Sequence, residues 1–488
     1  MAERLDIKRA ALCVAACLGA AIVLHLPALD QPLDRDAALY AAIGQRLDLD
    51  TLPYRDLFDH KQPLIHWVYA VLNLIAPQSL ATIRVAAAIP SALAAAALVL
   101  FLEPIAGMRR AALAAALVIL AGASNLLEGT DLNTEHLLAL PACVTVLWAL
   151  ALDRPGVPGG PFAVGLCGGL AILAKATGAV TALAAVIPIV AYSRAGGGSA
   201  VSAVARFALG LVAPLAVVLA VYAAAGALDD FVFANVTYNA RYVGDQDFTL
   251  TPHGPLAVQL LMAAALASGL VRLAEHRGRD VIGWTLLAWL LGAWLGAQAS
   301  GRGFPHYYAP LVPPAAALLA LPRGAGGGSL RLVHAGAPAL GAVAAVLVAL
   351  PVGANFGRSG NDIARAVYGS TQVERWTPAD EVGRFLARRG HGRGKLYVIG
   401  AEPQYYWRSG LSAANRWLFD YPLEFAPERV RPDLAALCQR RPRFVVVLVP
   451  RSTPGYGEAC DAAHGYTAVM RRGPVTVLER RPARRAPG

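Results

Sequence analysis

The stretch from Leu33 to Trp67 reads LDRDAALYAAIGQRLDLDTLPYRDLFDHKQPLIHW, and its setting decides the fold. It follows an apolar segment in a chain that is otherwise rich in Ala, Leu and Val. Its carboxylates are Asp34, Asp36, Asp48, Asp50, Asp56 and Asp59, and His60 and Lys61 follow them. A charged loop directly after an apolar helix is typical of a membrane protein, where polar groups gather at the surface of the bilayer.

The composition of the whole chain supports a membrane protein. Of 488 residues, 56% are hydrophobic and 15% are charged, whereas about a quarter of the residues in a soluble domain are charged. The apolar residues occur in long runs, and a segment that crosses a bilayer must be helical to satisfy its backbone. The sequence therefore predicts a polytopic α-helical membrane protein with a small C-terminal α/β domain.

Hydrophobic runs define the predicted spans. A membrane domain over residues 1–353 contains a first extracytoplasmic loop at 28–81 and about 11 transmembrane helices. They lie near 10–27, 82–104, 109–123, 135–152, 161–174, 177–193, 204–226, 256–273, 281–299, 308–322 and 332–353. The two helices around Lys175 are short, so a single merged helix is an alternative. A cleavable signal peptide is the alternative to a retained first helix.

Positive charges in the loops predict the orientation of the helices. With the N-terminus in the cytoplasm, the loops on that side contain more Lys and Arg than the opposite loops. An odd number of spans then puts the C-terminal domain outside the cytoplasm. We therefore expect a multi-pass protein of the inner (plasma) membrane.

The C-terminal part, residues 354–488, is polar. TPADEVGRFLARRG predicts a helix with Thr377 as its N-cap, and GKLYVIG, RFVVVLV and TVLERR predict strands. From Arg358 onward there are 22 Lys and Arg against 12 Asp and Glu, which leaves most of the net charge of +11 here. Such a basic surface either meets lipid phosphates or is an ordinary solvated surface. No nucleic-acid-binding module occurs, so we expect no nucleic-acid partner.

The cysteines divide into two groups. Four lie in apolar runs and behave as small hydrophobic residues: Cys13, Cys17, Cys143 and Cys167. Cys438 and Cys460 lie in the polar part, and outside the cytoplasm they could form a disulfide. Two free thiols are the alternative.

Candidate functional residues recur on the side of the membrane that holds the first loop. In that loop, DAALYAAIGQRLDL has the spacing of an amphipathic helix with Asp36 near its start, and Pro63 begins the next helix. Lys175 lies inside an apolar run, where a charge is costly and is a functional candidate. Further polar residues on the same side are Arg84, Asp131, Asn133, Glu135, His136, Arg302, His306, Tyr307 and Tyr308.

Four motifs resemble those of the GT-C superfamily of membrane glycosyltransferases. The opening stretch is similar to the pattern of the bacterial protein O-mannosyltransferase-like and aminoarabinose-transferase-like branch, and NTEHLLALP, GLCGGLAILAKATG and GRGFPHYYAPLVPP support the resemblance. Two positions depart from the family pattern. An Asp-Glu pair is Asp36-Ala37 here, and a Lys-Pro-Pro step is Lys61-Gln62-Pro63.

The resemblance implies a transferase that moves a hexosyl or pentosyl group from a polyprenyl-phosphate donor to an extracytoplasmic acceptor. It makes Asp36 the catalytic base of an inverting single displacement. Lys61, Lys175 and Arg302 become candidates for binding the lipid phosphate, because cations suit that group. Asp59, His60, Arg84, Glu135, His306 and Tyr307 become further candidates for substrate binding.

Several partners stay open under this resemblance. A divalent metal ion is an open cofactor, with Asp36 and His60 as candidate ligands. The acceptor is a lipid, a glycan or a protein, and membrane lipids surround the helices. A transporter or flippase of a lipid-linked or charged solute is the alternative function, which Lys175 and the short helices beside it would suit.

Overall fold

The computed structural model describes residues 7–48, 50–245, 254–322, 331–448 and 465–481. The first sixteen α-helices are α1 Ile7–His25, α2 Arg35–Gly44, α3 Leu64–Ile75, α4 Leu80–Ala106, α5 Met108–Ala123, α6 Thr134–Ala151, α7 Pro161–Ala174, α8 Gly178–Ala184, α9 Val186–Ala195, α10 Ala200–Ala224, α11 Leu228–Val232, α12 Asn239–Gly244, α13 Leu256–Glu275, α14 Val281–Gln298, α15 Val312–Ala320 and α16 Arg331–Asn355. A π-helical turn, Phe233–Tyr238, joins α11 to α12.

The rest of the chain forms short helices and one sheet. The helices are α17 Gly360–Tyr368, α18 Ser370–Trp376, α19 Ala379–Gly390, α20 Gln404–Ser409, α21 Pro422–Phe425 and α22 Pro427–Arg440. The strands are β1 Lys395–Ile399, β2 Ser412–Ala413, β3 Phe444–Val447, β4 Tyr466–Arg472 and β5 Val475–Arg480.

The chain is a polytopic α-helical membrane protein with a small C-terminal sheet. Among the described residues, eight helical segments are long and apolar enough to cross a bilayer. They are Ile7–Ala28, Leu80–Ala106, Thr134–Ala151, Gly178–Ala195, Ala200–Ala224, Leu256–Glu275, Val281–Gln298 and Gly336–Asn355. Three other predicted spans are short: α5 has 16 residues, α7 has 14, and α15 has 9 after a 3-10 helix at Pro305–Leu311. The count of about 11 therefore stays a prediction.

Contacts divide the chain into two compact units. The membrane unit comprises Met1–Leu29, Ile83–Gly226 and Val243–Ser359. The polar unit comprises Asp30–Thr82, Ala227–Tyr242 and Gly360–Gly488. The first loop thus folds with the C-terminal part, a grouping that the sequence did not predict. The domain limits at 353 and 354 themselves stay a prediction.

Glycine lets two helices of the membrane unit pack backbone to backbone. A Cβ atom at Gly165 in α7 would clash with the carbonyl oxygen of Phe207 in α10, and one at Gly210 would clash with that of Phe162. Small residues at such crossings are the usual means of helix association in lipid. The opposite surface of α10 exposes Leu209, which suits contact with acyl chains.

The sheet of the polar unit has the order β2-β1-β3-β5-β4. β1 runs parallel to β2 and β3, while β5 runs antiparallel to β3 and β4. The predicted strands are present as β1, β3 and β5, because their apolar runs are buried on both faces. β2 and β4 lie outside the prediction. Thr377 does not cap α19 as predicted, because its hydroxyl donates to Val373 O, 2.8 Å away, at the end of α18.

An aromatic cluster joins the three segments of the polar unit. The ring centroid of Phe58 lies 5.2 Å from that of Tyr238 and 4.6 Å from that of Trp417. The amide of Phe58 donates to Arg416 O, 2.8 Å away. Buried aromatic pairs of this kind stabilise beyond the area they remove from water. They fix the first loop beside the sheet.

Candidate functional site

The first group of polar residues, which we call the loop cluster, consists of Asp36, Asp59, His60, Lys61 and His66. It lies within the polar unit. Lys61 Nζ is 3.6 Å from Asp36 Oδ2, and the Asp36 side chain is 34% exposed. An acid that has a cation beside it and remains accessible can meet a substrate hydroxyl.

The N-cap of α2 sets the position of Asp36. The carboxylate of Asp34 accepts from Ala37 N at 2.8 Å and from Asp36 N at 3.3 Å. Asp36 is thereby held in the first turn, where the helix dipole favours an acid. Asp34 therefore acts as the N-cap of α2.

Residues 59–61 are fixed by hydrogen bonds that are buried or partly buried. The hydroxyl of Tyr54, a residue in the left-handed region at φ 71°, donates to Lys61 O at 2.7 Å. Asn239 Nδ2 donates to His60 O at 2.8 Å. The two histidines contact Asp59: His66 Nε2 lies 2.9 Å from Oδ2, and His60 Nδ1 lies 3.4 Å from Oδ1. The turn thus presents the ammonium group of Lys61 to Asp36.

Asp59 is fully buried, yet its charge is favoured. Burial raises the pKa of Asp59, but the hydrogen bond from His66 and the positive charges of His60 and Lys61 lower it to about 2. A hydrogen-bonded carboxylate beside cations stays ionised. Asp59 therefore stabilises the turn through its buried contacts, and Asp36 is the accessible acid.

The second group, which we call the mouth cluster, lies within the membrane unit and consists of Glu128, Glu135, Lys175, His306 and Tyr307. Lys175 Nζ pairs with Glu135 Oε1 and lies 4.1 Å from the centroid of the Tyr307 ring. His306 Nδ1 is 2.6 Å from Glu128 Oε2, and His306 Nε2 is 3.8 Å from Glu135 Oε1. Two acids, a lysine and a histidine are thereby joined in one network.

Breaks in the helices position the mouth cluster. Lys175 follows the last residue of α7 in an extended conformation, so α7 and α8 remain separate helices. A cation at a helix C-terminus is favoured by the dipole. Glu135 lies in the first turn of α6, where Thr134 Oγ1 donates to its Oε2 at 2.8 Å. His306 and Tyr307 lie in the 3-10 helix before α15.

Two predicted arginines have carboxylate partners elsewhere in the membrane unit. Arg84 is fully buried, pairs with Asp131 Oδ1 and donates to Thr130 O at 2.7 Å. Arg302 Nη2 is 3.3 Å from Asp245 Oδ2. The burial of Arg84 favours a structural role. The predicted binding roles of both arginines stay predictions.

Two residues of these clusters were not singled out from the sequence. Glu128, at φ 53° and ψ 34°, is held in the left-handed region and contacts His306. His66 is fully buried between the rings of Tyr40 and Tyr54. Their only signals were an acid in the loop segment LLEGTD and a histidine seven residues after Asp59.

The comparisons with known proteins address the fold. The sequence matches no family model and no curated protein. ArnT from Cupriavidus metallidurans, solved with undecaprenyl phosphate, is a similar structure: TM-score 0.62, 15% identity, and coverage of 97% of this chain and 98% of that one.

The chain has the GT-C fold.

Other structures of that fold are also similar. The archaeal oligosaccharyltransferase AglB from Archaeoglobus fulgidus, solved with an inhibitory peptide and a dolichol-phosphate, matches with a TM-score of 0.50 and 14% identity over 89% of this chain and 69% of that one. The arabinofuranosyltransferase AftD from Mycobacteria matches with a TM-score of 0.51 and 15% identity over 99% and 42%. The resemblance found in the sequence is confirmed at the level of the fold.

The described residues do not form a ready metal site. Among them, no group of three or more His, Cys, Asp or Glu side chains is placed to hold an ion. Asp36, one of the two candidate ligands, has the ammonium group of Lys61 beside it. The predicted metal cofactor stays a prediction.

Only one cysteine of the predicted disulfide lies among the described residues. Cys438 is disulfide-bonded, and Cys460 lies outside the described residues. The pairing therefore stays a prediction. Cys13, Cys17, Cys143 and Cys167 are free.

Proposed function

We propose that the protein is a glycosyltransferase that transfers a sugar from a polyprenyl-phosphate donor to an acceptor hydroxyl outside the cytoplasm. The single observation that carries the proposal is the accessible Asp36 with Lys61 beside it, in a chain of GT-C fold. Structures with this fold have been solved with undecaprenyl phosphate and with dolichol-phosphate. That ligand chemistry supports a lipid-phosphate donor here.

The proposed reaction is a single displacement with inversion. Asp36 takes the proton of the acceptor hydroxyl while the oxygen of that hydroxyl forms a bond to the anomeric carbon. The bond from that carbon to the phosphate oxygen breaks, and the electron pair leaves with the polyprenyl phosphate. Lys61 would stabilise negative charge as it develops on the phosphate.

The mouth cluster has a different proposed role. The ammonium group of Lys175 pairs with Glu135 and lies 4.1 Å from the centroid of the Tyr307 ring, a contact that favours a positive charge. We assign Lys175 to the donor phosphate, and Glu135 and His306 to the hydroxyls of the sugar. The pairing of Glu135 with Lys175 supports this assignment, because it holds the ammonium group in place before the donor binds.

The composition of the polar unit supports the predicted orientation. Its three segments fold into one polar unit, and such a unit lies on one side of a bilayer. Successive segments on the same side are separated by an even number of spans. The segments that end at 242 and begin at 360 are separated by α13, α14, α15 and α16, which supports counting the short α15 as a crossing. With α5 and α7 also counted, 11 spans result.

Asparagine at position 36 tests the proposed base. We expect Asp36→Asn to keep normal folding and membrane insertion but to lose at least ~100-fold in transfer from a polyprenyl-phosphate sugar. Asp50→Asn is the matched control, because Asp50 is an exposed acid of the same loop. Transfer at a near wild-type rate by the Asp36 variant would remove Asp36 from the base role.

A topology reporter tests the orientation. A reporter fused after Gly488 should respond as extracytoplasmic, and one inserted at Gly197, between α9 and α10, should respond as cytoplasmic. The same response from both positions would show that the count of spans has the wrong parity.

A further inference from the structure

A strongly basic groove lies at one edge of the sheet in the polar unit. We call it the basic groove. It has a volume of about 940 Å³. Its charged lining residues are Arg389, Arg441, Arg443, Arg480, Arg481 and Glu479. Among the described residues that line the groove, five guanidinium groups thus face one carboxylate.

The pairing of the strands brings these arginines together. Arg480 N donates to Arg443 O at 2.9 Å, and Arg481 N donates to Gly465 O at 2.8 Å. Gly465 has φ 87°, and a Cβ atom there would lie 2.8 Å from Arg441 Nη1. The absent side chain leaves room for that guanidinium group. The pairing of the strands therefore fixes the positions of the arginines in the basic groove, unlike charges along a flexible tail.

Neutral oxygens orient several of the guanidinium groups. Arg443 Nη2 donates to Arg389 O at 2.9 Å, and Arg480 Nη1 donates to Arg441 O at 3.0 Å. Arg481 Nε donates to the hydroxyl of Thr467 at 3.1 Å. These contacts fix geometry without neutralising charge.

The carboxylate of Glu479 balances only part of this charge. It pairs with Arg389 and lies 3.3 Å from Arg443 Nη2. Within the described part of the chain, Arg441, Arg480 and Arg481 have no ion pair with a carboxylate. Like charges held this close repel one another, and a bound anion would relieve the repulsion.

A second groove of the polar unit shows that this imbalance is specific. It has a volume of about 820 Å³, and its charged lining residues are Arg46, Arg55, Lys395, Arg416, Asp48, Asp56 and Asp433. Arg55 pairs with Asp56 at 2.8 Å, and Arg416 with Asp433 at 3.3 Å. Cations and acids nearly balance there, so a groove of similar size in the same unit attracts an anion much less.

We infer that the basic groove binds a discrete anion that carries two or more phosphate or carboxylate groups. Guanidinium groups match such oxygens with paired hydrogen bonds. The groove is concave, so it suits a ligand of saccharide size better than the flat surface of a bilayer. The assignment of this anion to an acidic saccharide of the acceptor rests on the proposed function; the binding itself does not.

Pyrophosphate is the probe for a titration of the purified full chain in nanodiscs of phosphatidylcholine. The groove variant combines R441Q, R480Q and R481Q. The matched control combines R388Q, R393Q and R471Q, which removes the same charge from exposed positions of the same unit that do not line the groove. We expect at least ~10-fold weaker binding in the groove variant and a change within about twofold in the control.

Several outcomes would overturn the inference. Equal weakening in both variants would show attraction by diffuse charge. Wild-type protein that binds vesicles of phosphatidylcholine with phosphatidylglycerol, but not pyrophosphate, would make the surface a membrane contact. A further variant with lysine at the three groove positions keeps the charge; we expect binding between that of wild type and the glutamine variant, and no gain over glutamine would contradict the role of charge.

The proposed function is tested separately in the same titration. Asp36→Asn should bind pyrophosphate as wild type does while it loses transfer. Loss of transfer with retained binding would support both proposals. Retained transfer in Asp36→Asn with a groove that still binds would overturn the proposed base and leave the basic groove in place.

Discussion

The loop cluster and the mouth cluster hold their charges in different ways. In the loop cluster, the catalytic candidate Asp36 is about one-third exposed, and its nearest cation is 3.6 Å away. In the mouth cluster, the side chains of Glu135 and His306 are less than one-tenth exposed and are linked to other charged groups. The first arrangement leaves an acid available to a substrate, and the second assembles charges before any substrate arrives.

The difference follows from the surroundings of each cluster. A charge among apolar helices is costly unless a partner or water compensates it, so the membrane unit joins its charges closely. A loose pair in the polar unit is compensated by solvent and contributes little to stability. We therefore expect changes in the membrane unit to affect both folding and activity, whereas changes at Asp36 should affect activity alone.

The largest effect on stability should come from the buried pair of Arg84 and Asp131. Arg84→Met leaves the Asp131 carboxylate buried without its partner and should lower the free energy of unfolding by about 3–5 kcal/mol. The double variant Arg84→Met with Asp131→Leu should recover most of that loss, because both charges are gone. Thermal unfolding of the full chain in detergent measures each change.

Activity of the double variant sharpens the role of Arg84. A stable double variant with normal transfer would make Arg84 structural, and one that folds but does not transfer would support substrate binding. A cost below about 1 kcal/mol for Arg84→Met would contradict a tightly compensated pair.

A smaller effect should come from Asp59, the one buried acid of the loop cluster. Its pKa is about 2 in the folded protein, against about 3.9 in an unfolded chain. This depressed pKa stabilises the fold above about pH 4, and the contribution is lost as the pH falls toward 2. The difference corresponds to about 2–3 kcal/mol.

The pH dependence of unfolding tests this contribution. Between about pH 5 and about pH 2.5, Asp59→Asn should lose less stability than wild type, because it lacks the titrating group. Asp50→Asn should follow the wild-type curve. Parallel curves for wild type and Asp59→Asn would show that the environment of Asp59 does not favour its ionised form.

Long apolar runs made most of the helices predictable from the sequence. The predicted spans 204–226, 256–273 and 281–299 correspond to α10, α13 and α14 within a few residues. Such a run has one low-energy state in lipid, since its backbone must bond internally. The short α15 was harder, because part of the predicted span 308–322 forms a 3-10 helix instead.

The candidate site was predictable in its residue types and less so in its pairings. Lys175 and Glu135 stood out locally, since Lys175 is a charge inside an apolar run and Glu135 is an acid at the start of one. Glu128 and His306 are 178 residues apart, and no local pattern links them. Likewise, the contact of Phe58 with Trp417 arises only when distant segments fold together, so the composition of the polar unit could not be predicted.

The smallest change in stability should come from Glu128, where two variants separate the contribution of the backbone conformation from that of the side chain. This residue lies in the left-handed region, which costs a residue with a side chain roughly 1 kcal/mol relative to glycine. Glu128→Gln keeps that cost and weakens the contact with His306, so it should lower the free energy of unfolding by about 1 kcal/mol. Glu128→Gly deletes the contact but relieves the backbone, so its net change should be near zero.

Thermal unfolding of the two variants should therefore rank glycine above glutamine in stability, although glycine removes more of the side chain. The opposite ranking, by more than about 1 kcal/mol, would mean that the hydrogen bond which glutamine keeps to His306 outweighs the strain of the turn, and the mouth cluster would then depend on the side chain at position 128.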